Sequence, residues 1–133
     1  MSSSMFNRKA VVVVIAIIVG LLHFITGPGY RGPFPAFVNG YMIDILLPLA
    51  MYLVLGIARQ SILRSPLARG VFVFSIGAVT ETLQYFDVPI FGRTFDGLDY
   101  LMYGFGIALG IALEKFVLSK IPIGTPHEQP RNE

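Results

Sequence analysis

Ala10-Val-Val-Val-Val-Ile-Ala-Ile-Ile-Val-Gly-Leu-Leu22 contains no polar side chain. The run continues through His23, Phe24 and Ile25, giving 16 residues from Ala10 to Ile25. That is close to the shortest α-helix able to cross a hydrocarbon layer ~30 Å thick. Apolar residues follow one another without alternation, which argues against a barrel strand. In hydrocarbon a helix satisfies its own backbone N–H and C=O groups, so a helix is the default reading. Arg8 and Lys9 precede the run, as they would in a secretory leader, but no small-x-small cleavage pattern follows it. It is expected to be a first transmembrane helix, retained in the mature protein.

Outward from that run the chain repeats the theme. Thr26 to Gly40 is rich in Gly and Pro and reads as a loop, since Pro28, Pro33 and Pro35 remove backbone donors. Tyr30, Phe34, Phe37 and Tyr41 suit the headgroup level. Tyr41 to Ala58 is the second predicted helix, with Asp44 near its start and Pro48 inside. Arg59, Arg64 and Arg69 form a basic connection broken by Pro66. Gly70 to Phe86 is the third helix, and Leu98 to Leu118 is the fourth and longest. The expectation is an all-α, polytopic membrane protein. Residues 1–118 would form a four-transmembrane-helix bundle, and 119–133, rich in Pro and polar residues, a disordered cytoplasmic tail.

Composition agrees. Of 133 residues, 54% are hydrophobic and 14% charged, and the mean hydropathy is +0.69. Soluble domains carry roughly 25% charged residues. The net charge of +2 is too small to suggest nucleic acid, and with no Cys, thiolate metal sites, disulfides and thiol catalysis are excluded.

Charge also assigns sides. Of ten Lys and Arg, eight fall in the start, middle connection and end: Arg8, Lys9, Arg59, Arg64, Arg69, Lys115, Lys120 and Arg131. The two Gly/Pro loops hold only Arg31 and Arg93. Basic residues stay cytoplasmic, so both termini are expected there, in a multi-pass protein of the cell membrane. The basic middle connection of Arg59, Arg64 and Arg69 reads either as a topology signal alone or as a site of attraction for anionic lipid headgroups.

The acidic residues then gather at the other end. Asp44 starts the second helix, Glu81 and Gln84 end the third, Asp96 and Asp99 open the fourth, and His23 lies near the outer end of the first. Each ionisable group within a span costs about 2.5–3.5 kcal/mol on insertion scales and is a functional hypothesis by default. Glu81 and Gln84, three apart, share a helix face, and Tyr85 joins them at four. Asp99, Tyr103, Gly106 and Gly110 fall along one stripe whose Gly-x-x-x-Gly pair admits another helix. Arg93 would pair with one or two of the carboxylates. A bland reading competes: Asp44, Asp96 and Asp99 cap helix N-termini, and Glu81 only holds Arg93 in place.

The segment Glu81-Thr-Leu-Gln84, then Phe91-Gly-Arg93-Thr-Phe-Asp96, Asp99, Gly104, Gly106 and Gly110, resembles the VanZ-like family of small bacterial membrane proteins. The resemblance covers residues 80 to 111, with Asp44 a further match; Tyr103 stands where the family usually has Asn. It implies a four- or five-helix bundle in a bacterial cell envelope, and the family's named member is linked to teicoplanin resistance. A related family (DUF2809) shares the Glu-x-x-Gln pattern.

The resulting expectation is an outer-leaflet polar pocket of Glu81, Gln84, Arg93, Asp96, Asp99 and Asp44 that binds a lipid headgroup or lipid-linked cell-wall precursor. Membrane lipids are expected partners, with a homo-oligomer through Gly106 and Gly110 as a further option. An enzyme acting on a lipid-linked substrate is an alternative; its oxygen ligands would favour Mg²⁺, Ca²⁺ or Mn²⁺. No nucleophile–base pair or zinc motif supports that reading, no metal site is assigned, and catalytic residues and cofactor stay unknown. A small transporter is the third option. Its difficulty is that no ionisable residue is placed in the inner half of a span, whereas transport sites usually lie near the midplane.

Overall fold

The computed structural model describes residues 8–26, 29–58, 61–89 and 95–121. The apolar run around Ala10 forms α1 (Arg8–Ile25), which buries Val12 and Val19, seven residues apart, on one stripe. Its other faces leave Val14, Ile17, Ile18 and Leu21 exposed.

α2 (Pro35–Ile57) begins six residues before the expected Tyr41. Pro35 was read as a breaker, but it occupies the first turn, where the missing N–H has no intrahelical partner anyway. Phe34, in the left-handed region at φ 53°, turns the chain into it. Val38–Met42 winds as a π-helical turn before the regular Ile43–Ile57 segment, which contains the buried Pro48.

α3 (Pro66–Tyr85) likewise starts earlier than the expected Gly70. Ser65 is its N-cap, accepting from the Ala68 N–H at 3.5 Å, and Pro66 is the first helical residue. Arg69 therefore lies inside a helix and not in a connection. The far end closes on Asp87, left-handed at φ 61°. The Asp87 N–H reaches the Gln84 carbonyl at 3.0 Å and the Val88 N–H the Leu83 carbonyl at 2.9 Å, the paired closure of a left-handed C-cap.

α4 (Leu98–Phe116) continues into a 3₁₀ turn at Leu118–Lys120. Leu118 is buried and Ile121 packs on the core, so order extends past the expected start of the tail; residues 122–133 lie outside the described residues.

α2 is central: it packs on α1, α3 and, most extensively, α4, while α4 also closes on α3. The core joins Val12, Leu49, Tyr52, Leu53, Val73, Ile107 and Leu118. Gly106 and Gly110 do admit a helix, but it is α2 of the same chain. A Cβ on Gly106 would strike the Ile45 carbonyl, and one on Gly110 would meet the Tyr52 ring at 2.9 Å. That face is filled by α2.

All described regular structure is helical, with no strand among the described residues. Three helices are long and apolar enough to cross a membrane: Arg8–Ile25, Pro35–Ile57 and Leu98–Lys120. This is compatible with an integral membrane protein. α3 is as long but less apolar, because it carries Arg69, Glu81 and Gln84. Those three are turned inward, at 3%, 2% and 8% exposure, while Leu67, Val71, Phe72, Phe74, Ile76 and Val79 face out.

Candidate functional site

The antiparallel packing brings the end of α3 against the starts of α2 and α4. Glu81 is the centre, at 2% exposure. Its Oε1 accepts the Tyr103 hydroxyl at 3.0 Å, and its Oε2 receives the Asp96 backbone N–H at 3.4 Å. Asp99, 8% exposed on the first turn of α4, lies beside both Glu81 and Asp44. Asp44 is held on α2 at the same depth, facing Asp99. Three carboxyl groups from three helices thus meet. Among the described residues the only ion pair lies elsewhere, so none of the three has a described Lys or Arg partner.

Asp96 behaves as the bland reading expected. Its Oδ1 accepts the Leu98 N–H at 3.0 Å and so caps α4, while its Oδ2 accepts the Tyr41 hydroxyl at 3.1 Å. Tyr41, expected to rest at the headgroup level, is therefore tied to this cluster. Asp99 does not cap; it points into the bundle. Gln84 is buried and, with Asp87, Val88 and Pro89, borders a cavity of about 260 Å³ at the C-terminal end of α3, which none of the three carboxyls lines. Tyr85 leaves the group: it is 64% exposed, edge-on to Phe86 and Phe95. His23 is exposed against Phe24. Arg93 lies outside the described residues. Tyr103 was placed on the right stripe by spacing, but its bond to Glu81 was not foreseen.

The opposite end holds a second polar group that the sequence reading missed. Arg69 Nη2 pairs with Glu114 Oε1 at 2.8 Å, and the Tyr52 hydroxyl donates to Glu114 Oε2 at 2.7 Å. The guanidinium carbon sits 4.6 Å from the centroid of the Tyr52 ring, a cation–π contact. Nε and Nη1 of Arg69 are buried without a hydrogen-bond partner among the described residues; Nη1 packs against the backbone at Gly56. Nearby, Arg8 Nε donates to the Leu118 carbonyl at 2.9 Å and ties the start of α1 to the end of α4. The signal for the Arg69 pair was present in Ser65-Pro66, a cap followed by a first-turn proline, which puts Arg69 one turn inside a helix.

Chemically, the two ends differ. The Arg69 end is neutralised from within. The carboxyl end offers oxygen acceptors and tyrosine hydroxyls at one depth, suited to hydrogen-bond donors, ammonium groups or protons. Among the described residues no group of three or more His, Cys, Asp or Glu is arranged to hold a metal ion. Comparison with protein-family models, with curated proteins and with solved structures finds no match to this chain.

Proposed function

We propose that this chain is an integral protein of a bacterial cell envelope, crossing the membrane four times with both termini cytoplasmic, whose carboxyl-lined outer end holds a polar lipid headgroup or cell-wall precursor. The inward rotation of Arg69, Glu81 and Gln84 supports counting α3 as the fourth span, because what it presents outward is apolar. The reading also accords with the VanZ-like resemblance of residues 80–111.

One observation carries the functional part: Glu81, Asp99 and Asp44 meet from three helices without a described cation beside them. Asp99 shares hydrogen bonds with both Glu81 and Asp44. The group therefore needs either shared protons or an external cation to offset its buried charge, and a ligand that donates to these oxygens would supply it. Such oxygens favour an amine or hydroxyl-bearing headgroup over a bare phosphate. Arg93, between α3 and α4 in the sequence and outside the described residues, is the residue we assign to any anionic part of the same molecule.

The test is Glu81→Gln. The amide oxygen still accepts from Tyr103, and the amide NH2 gives up the long 3.4 Å contact from the Asp96 N–H but can donate to the neighbouring Asp99. The protein should therefore insert and melt close to the parent, while native mass spectrometry from detergent should lose the co-purified headgroup molecule. Retention of that molecule in Glu81→Gln and in Asp99→Asn would refute the assignment. Sidedness is checked with single cysteines introduced at Tyr30 and Ser61, since the chain has no Cys of its own. The cysteine at position 30 should label from outside and that at position 61 from the cytosol.

A transport role is the second reading. The Arg69–Glu114 pair puts ionisable groups in the inner half of the spans, which answers that part of the objection raised from sequence, while the midplane itself holds no charged residue among the described residues. Proton-dependent uptake by reconstituted vesicles that disappears in Asp99→Asn would favour it.

A further inference from the structure

α3 and α4 diverge on the outer surface of the bundle and leave an apolar groove of about 300 Å³. Leu67, Gly70 and Phe74 line it from α3, and Gly104, Ile107 and Ile111 from α4. It runs from Pro66 to Ser75 on α3, ten residues whose nine helical rises span about 13 Å, close to half of a hydrocarbon layer of ~30 Å. Its ends are chemically unlike. Toward the middle of the bundle it ends at Ser75, whose hydroxyl is bonded back to the Val71 carbonyl at 2.7 Å. Past its basic end, one turn or less along each helix, come two exposed cations, neither of them part of the lining. Arg64 lies just before α3, and Lys115 follows Ile111 by one turn on the same face of α4. Glu114, the only acid described at this end, is turned inward onto Arg69 and does not neutralise them.

We infer that this groove seats an acyl chain of an anionic phospholipid from the cytoplasmic leaflet, with its phosphate between Arg64 and Lys115. The inference rests on the membrane reading above and concerns a different surface from the carboxyl cluster. A hydrocarbon tail matches the lining and the depth of one leaflet, and a negative headgroup matches the mouth. A second copy of the chain fits less well. Two copies inserted in the same orientation would bring Arg64 and Lys115 of each to the same depth at the contact, where like charges repel.

Gly104 gives a clean probe. A Cβ built there meets nothing within 4 Å, so Gly104→Leu projects into the groove without displacing a neighbour, and leucine also favours the helix over glycine. The full chain would be purified into nanodiscs of phosphatidylcholine with or without phosphatidylglycerol, then released for native mass spectrometry. The parent should retain phosphatidylglycerol in preference to phosphatidylcholine. Gly104→Leu should melt no lower and retain about tenfold less phosphatidylglycerol, the loss expected of one displaced chain contact worth about 1.4 kcal/mol. Lys115→Gln should lower the preference for the anionic lipid by about fivefold, the contribution of one interfacial cation. Equal lipid retention in parent and Gly104→Leu overturns the inference. So does a dimer mass in the parent that becomes monomeric in Gly104→Leu, because the groove would then be an interface between copies. A chain that stays out of the nanodisc overturns the membrane reading as well, whereas one that enters without lipid preference overturns only this inference.

Discussion

The two ends of the bundle bury polar groups on opposite terms. At the basic end, Arg69 and Glu114 meet at 2.8 Å, and Tyr52 supplies both a hydroxyl and a ring face. At the other end Glu81, Asp99 and Asp44 meet with tyrosine hydroxyls and a backbone N–H around them, and no described cation. The first arrangement is closed in charge: the two opposite charges cancel within the chain, although Arg69 Nε and Nη1 have no hydrogen-bond partner among the described residues. The second is open in charge: the three carboxyls share hydrogen bonds with one another and with Tyr103, and no described cation balances them. A polar cluster that neutralises itself argues for architecture, and one that does not argues for a ligand or a proton.

The largest effect should come from breaking the closed end. Arg69→Ala leaves the half-buried Glu114 beside Tyr52 alone and should lower unfolding stability in detergent by about 3 kcal/mol, the low end for a buried pair because Glu114 keeps 29% exposure. Arg69→Met combined with Glu114→Leu should recover most of that loss, because apolar replacement of a whole buried pair is often neutral. If the single and double variants melt alike, the pair is not a closed unit. An intermediate effect is expected from Tyr103→Phe, which removes one donor from buried Glu81 and should cost about 1–3 kcal/mol by the same melt. A larger cost than that of Arg69→Ala would reverse the contrast between the ends. The smallest effect belongs to Asp99→Asn. It removes one of three crowded carboxylates and should change stability by about 1 kcal/mol or less, in the direction of a gain, while lipid or headgroup retention changes. A strong loss of stability would make the carboxyl end as architectural as the other.

Much of this architecture is legible in the sequence, because apolar runs are long and charges are few. Four helical stretches, and the gathering of Glu81, Gln84, Asp99 and Asp44 at one end, follow from run lengths and three-residue spacings. Helix starts do not follow so easily. Pro35 and Pro66 look like interruptions in a string of letters, yet each occupies a first turn, where proline costs no hydrogen bond. Misreading Pro66 concealed the Arg69 pair, since an arginine near a helix end looks like a cytoplasmic anchor until the helix is extended past it. Tyr85 failed for a rotational reason. Gln84 and Tyr85 lie on opposite sides of Glu81, about 100° apart around the helix axis, and only Gln84 is buried, at 8% exposure against 64%. The contact from Tyr103 to Glu81 depends on how closely α3 and α4 approach, which spacing within one helix does not encode.

The winding of α2 has a consequence for the carboxyl end. Val38–Met42 is a widened turn, and Pro48 withholds the amide proton that the Asp44 carbonyl would otherwise receive from position 48. Asp44 thus rides on a short length of helix whose rungs are weakened above and below it, whereas Tyr52, further along the same helix, is clamped at 0% exposure. A small swivel of that length would reorient one carboxyl while leaving the Arg69 latch untouched, so one rod serves as both adjustable arm and fixed post.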